Sequence, residues 1–72
     1  MKSNTKARAV AREAAARAIN TYPSVIKMAK EFGVHRVTIY GWKENGVPIK
    51  KCLLVEKLTG VPKEQLHPEF FG

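Results

Sequence analysis

His35, Arg36, Val37, Tyr40, Gly41 and Lys43 fall within one ten-residue run, HRVTIYGWKE. At helical periodicity Ile39 and Trp42, three apart, share an inward face, and the other six point outward. These are residue types that can read a nucleic-acid groove. Arg36 can donate two hydrogen bonds to guanine O6 and N7, Val37 can meet a thymine methyl group, and the Tyr40 hydroxyl can reach a base or a phosphate. Gly41 weakens a helix interior by about 0.5–1 kcal/mol relative to alanine. Two readings of it stand: close approach to a sugar-phosphate backbone, or packing room for an adjacent helix. His35 begins the helix and either caps it or touches phosphate.

Phosphate contacts are expected from helix N-termini and from the loops that flank a groove. Ser24, with the backbone N–H groups of Val25 and Ile26, forms one clamp, and Lys27 is a weaker contributor. Lys43, Asn45 and Lys50, around the connection after the reading helix, form the other.

Other chemistries find little support. The chain has no Asp, its only serines are Ser3 and Ser24, and no nucleophile is paired with a histidine. There is no Gly-rich phosphate loop and no carboxylate pair in a plausible cleft, so no enzymatic activity and no cofactor are expected. His35 and His67 are the only histidines, and no Cys or carboxylate cluster has metal-ligand spacing. The lone Cys52 reads as a small core residue.

The elements that must position these residues follow in order. Residues 1–5 are expected to fray, with Asn4 or Thr5 as a helix cap. Lys6 to about Asn20 is rich in Ala and Arg, both strong helix formers. Ala7, Val10, Ala14 and Ala18 or Ile19 form one mild apolar stripe. Arg8 and Arg12, four apart on another face, read either as a solvated surface or as a contact to phosphate or to a partner protein. Pro23 breaks this helix and Ser24 caps the next, which carries Val25, Met28, Ala29 and Phe32 on one face. Gly33 ends it with a left-handed turn.

The third helix runs from His35 or Arg36 to Glu44, and Asn45-Gly46 stops it. Pro48 opens a fourth helix to about Thr59, with Ile49, Cys52, Leu53, Val55 and Leu58 at its apolar positions. This fourth helix is expected to cover Ile39 and Trp42. Gly60 closes it, a single turn PKEQL follows, His67-Pro68 ends that turn, and residues 69–72 trail off. No stretch alternates with period two long enough for a sheet. The expected fold is all-α: one small domain of about five helices over residues 1–72, with a helix-turn-helix at 24–46. At the crossing of its two helices only a small side chain fits, and Ala29 is placed there.

At this size a chain buries only about 60% of the surface its unfolded form exposes, so its stability should be marginal. Thirteen Lys and Arg against six Glu give a net charge of +7, which favours a polyanionic partner, nucleic acid before membrane. The longest uninterrupted aliphatic run in the second half is Leu53–Val55, too short for a membrane span or a signal segment. A cytoplasmic, nucleoid-associated protein is expected.

Residues 25–72 resemble the Cro/YdaS-type family of small phage and prophage repressors. The matching residues are Ala29, Gly33-Val34, Ile39, Trp42, Val47-Pro48, Cys52, Glu56, Thr59-Gly60, Leu66 and the tail HPEFFG. The resemblance implies a lambda-repressor-like helical domain that binds operator DNA as a homodimer and represses transcription. His35-Arg36 stand where Ser-Pro is common in that family, and the Arg/Ala segment before Ser24 is long for it. Dimer contacts are expected from Leu54, Leu58, Val61, Leu66, Phe70 and Phe71, which exceed what so small a core needs. The alternative function is an antitoxin-like module whose first helix binds a partner protein, with DNA binding for autoregulation.

Overall fold

Alanine packing dictates the architecture. A computed structural model describes residues 5–71, and among them it contains helices and connections and no strand. The helices are α1 (Thr5–Asn20), α2 (Val25–Phe32), α3 (Arg36–Asn45), α4 (Ile49–Thr59), α5 (Lys63–Leu66) and α6 (Pro68–Phe71). The all-α expectation holds, with six helices rather than about five. Thr5 is already helical, and the expected fraying of residues 1–4 lies outside the described residues.

α1 is the centre of the domain. Ala7, Ala11, Ala14, Ala15, Ala18 and Ile19 are buried, and the helix packs against α3, α5 and α6. Small side chains let helix axes approach closely. Val10, placed on the apolar stripe from sequence, is instead exposed, and Ala11 and Ala15 take the buried positions. The cover over α3 comes mainly from α1, not from α4 as expected. Cys52 and Val55 are the α4 residues in the core, while Ile49, Leu53 and Leu58 stay exposed. The Cys52 thiol donates to the Val47 carbonyl at 3.6 Å.

An aromatic series fixes α2 and α3. Tyr22 meets Phe32 edge-on at 6.2 Å between ring centroids, and Phe32 meets Trp42 edge-on at 5.6 Å. Edge-to-face pairs of this kind add about 0.5–1.5 kcal/mol beyond area burial. Met28, Ala29, Ile39 and Trp42 complete the interface, all buried.

The C-terminal third is held by side-chain caps. Thr59 Oγ1 donates to the Val55 carbonyl at 2.7 Å and accepts from the Val61 N–H at 3.3 Å. Glu56 Oε2 accepts from the Lys63 N–H at 3.0 Å, at the start of α5. Arg17 donates to Gln65, tying α1 to α5. Gly60 has φ +83° and closes α4. Pro68–Phe71 is helical rather than trailing off.

Two of the expected dimer contacts are corrected here. Leu66 and Val61 are core residues, and Leu54 and Phe71 are partly buried against that core. Only Leu58 and Phe70 of that set are free surface. Among the described residues no helix is long and apolar enough to cross a membrane.

Candidate nucleic-acid interface

The turn between α2 and α3 is built by its own backbone. Gly33 takes φ +67° and ψ +33°, the left-handed conformation that carries no Cβ penalty in glycine. Its N–H bonds to the Lys30 carbonyl at 3.2 Å, and the Val34 N–H bonds to the Ala29 carbonyl at 3.0 Å. This pair of bonds is the Schellman arrangement that ends a helix. Val34 then packs against the core and turns the chain into α3.

Both helices carry side-chain N-caps. Ser24 Oγ accepts from the Lys27 N–H at 3.1 Å. By helix geometry the N–H groups of Val25 and Ile26 have no partner within α2, as the phosphate-clamp reading requires. His35 Nδ1 accepts from the Val37 N–H at 3.2 Å, so the histidine is the N-cap of α3 rather than its first helical residue. A neutral imidazole that accepts at Nδ1 carries its proton on Nε2 and offers it outward as a donor.

The exposed face of α3 follows from the burial of Ile39 and Trp42. Opposite them, Val37, Tyr40, Gly41 and Glu44 form the i, i+3, i+4, i+7 ridge. Val37 is 64% exposed and Tyr40 51%. Arg36 and Lys43, seven apart, run along one edge of this ridge, and both are exposed. Gly41 is half-buried, and a Cβ added there would meet nothing within 4 Å outside the backbone of its own helix. The packing-room reading of Gly41 therefore fails, because no neighbouring helix occupies that space.

At the far end of α3, Gly46 accepts no side chain readily. Its φ is +91°, its N–H bonds to the Trp42 carbonyl at 2.7 Å, and an added Cβ would lie 3.2 Å from Ala11 Cβ. α1 thus reaches the chain just after α3. Asn45 is the last residue of α3, and Lys50 lies in the first turn of α4; both are exposed beside this junction.

Sequence reasoning missed Glu44, Thr38 and Lys30 on this surface, and of Ile26 it used only the backbone. Glu44 and Thr38 are exposed on α3, and Glu44 was legible as the next step of the Val37–Tyr40–Gly41 spacing. Ile26 and Lys30, four apart on α2, line a cleft of about 220 Å³ together with Ala29, Val34, His35 and Arg36. That cleft joins the exposed side of α2 to the start of α3.

The surface is net basic, with Lys27, Lys30, Arg36, Lys43 and Lys50 against Glu31 and Glu44, all exposed. Among the described residues the single ion pair is Lys63–Glu64 at 3.3 Å, far along the chain from this surface. Among the described residues these five cations make no ion pair. The excess of cations over acids is available to a polyanion. Among the described residues no group of three or more His, Cys, Asp or Glu is arranged to hold a metal ion.

Comparison of the chain with family models, with curated proteins and with solved structures finds no match.

Proposed function

We propose that the protein is a sequence-specific DNA-binding transcriptional repressor of the Cro/YdaS type. In this reading α3 enters the major groove of operator DNA. Arg36, Val37 and Tyr40 meet base edges, with His35 and Gly41 allowing close approach. Ser24, Lys27, Lys43, Asn45 and Lys50 hold the phosphates on either side. The observation that supports the reading is the outward ridge of α3: exposed Val37 and Tyr40, of types that can meet base edges, flanked by Arg36 and Lys43, which make no ion pair among the described residues. Repression follows from occupying a promoter and excluding polymerase. A homodimer would set two copies of α3 about 34 Å apart, on half-sites about 10 bp centre to centre. Such a protein works in the cytoplasm, on the host nucleoid.

Selection from a randomised duplex library tests this. The expected result is convergence on one sequence, with affinity that falls steeply as salt rises. Recovery of unenriched duplexes at every salt concentration would leave only general backbone binding.

A second reading, an antitoxin-like module, draws on α1. Arg8 and Arg12 are exposed, and among the described residues neither has an acid partner. α1 is also the central core helix, so deleting it would unfold the domain. The discriminating variant is the surface double substitution Arg8→Ala with Arg12→Ala. Loss of partner-protein capture with DNA binding intact would favour the module. Loss of DNA affinity on all sequences alike would make the two arginines phosphate contacts.

A further inference from the structure

We infer that the cleft between α2 and the start of α3 seats the 5-methyl group of a pyrimidine whose neighbouring guanine is held by Arg36. The inference rests on the reading of α3 as a DNA-reading helix and names what that helix reads beside guanine.

The cleft has two chemistries. Its floor is aliphatic, made by the more buried Ala29 and Val34, and exposed Ile26 joins cationic Lys30 and Arg36 and the capping His35 at its rim. No carboxylate lines it. Ile26 is 54% exposed, an aliphatic side chain left in water within a basic surface. Val37, more exposed still, follows Arg36 directly on the helix.

An occupant must match both halves. A bare phosphate would leave the apolar floor uncovered. A purely apolar ligand would strip water from Lys30 and Arg36 without replacing their hydrogen bonds. Duplex DNA supplies the anionic backbone, and in the major groove thymine adds a projecting methyl group beside the next base edge. The start of α3 adds partial positive charge at the same place. A methylated pyrimidine next to guanine therefore satisfies floor and rim together.

The test uses the full chain and its selected duplex. Each thymine is replaced singly by uracil, which removes one methyl group and nothing else, and affinity is read by fluorescence anisotropy. One replacement, adjacent to a guanine, is expected to weaken the wild-type protein about fourfold, the factor that burial of one methyl group supplies. Ile26→Ala is expected to bind that duplex and its uracil form equally, while Ile26→Val keeps the preference. Ile26 is exposed, so both variants should fold, and circular dichroism verifies it. Four outcomes overturn the proposal. All uracil replacements are neutral, or the preference persists in Ile26→Ala, or it disappears only in Val37→Ala, or free thymidine monophosphate saturates the cleft without a duplex. Failure to bind any duplex would instead remove the DNA reading itself, and this proposal with it.

Discussion

Replacing Gly41 with alanine is expected to move stability and DNA affinity in opposite directions. Gly41 lies in the interior of α3, and an added Cβ meets nothing within 4 Å beyond the helix itself. No strain therefore offsets the gain in helix propensity, which is about 0.5–1 kcal/mol. For a domain of this size 1 kcal/mol shifts Tm by about 4–8 °C, so a rise of about 2–8 °C is expected. The same methyl group would stand on the outward ridge between Val37, Tyr40 and Glu44. If that ridge lies against DNA, close approach is blocked and affinity falls while the fold grows stronger. Thermal unfolding by circular dichroism reads the first effect, and anisotropy on a selected duplex reads the second. A more stable Gly41→Ala protein with unchanged affinity would refute close approach at Gly41. A less stable one would refute the open space found there.

Three other substitutions or conditions separate the parts of the account. Gly46→Ala should destabilise the domain, because a φ of +91° with a ψ of 166° is essentially glycine-only and costs a side chain about 1–3 kcal/mol. The 3.2 Å approach of Ala11 adds crowding, and urea denaturation would measure the sum. His35→Ala removes the cap of α3 and should lower stability by about 1 kcal/mol, whereas His35→Asn, a better N-cap, should retain it. Burial pushes the Cys52 thiol above its ordinary value. The folded state then keeps its proton longer than the unfolded chain, so stability is full below the unfolded thiol's range near about pH 8.5 and falls as pH rises through it. Denaturation curves across that range should show a decline that Cys52→Ala abolishes.

The helix-turn-helix stretch was legible because its signals are strong and local. Ser24 caps, Gly33 turns, and Met28, Ala29, Phe32, Ile39 and Trp42 fall at helical spacing, and each does what that spacing predicts. The cover over α3 was not legible. Ala14, Ala15 and Ala18 are fully buried while Leu53 and Phe70 are about three-fifths exposed, an order that hydropathy inverts. Helix proximity selected small side chains there, and smallness looks like a solvated helix when read along the chain. Leu66 and Val61 read as dimer contacts because the apolar residues of this region exceed what so small a core needs, and neither the connection that holds Val61 nor the single turn of α5 shows a period. They are core residues, held by the caps at Glu56 and Thr59. The cleft at Ile26 and Lys30 depends on how Gly33 and Val34 redirect the chain, a three-dimensional fact that an i,i+4 spacing alone does not carry.

The most direct test of the central claim compares Arg36→Ala with Lys43→Ala on the selected duplex and on random DNA. If α3 reads sequence, Arg36→Ala loses about 1–3 kcal/mol on the selected duplex and little on random DNA, while Lys43→Ala weakens both alike. Equal losses on both duplexes for Arg36→Ala would contradict base reading by this helix.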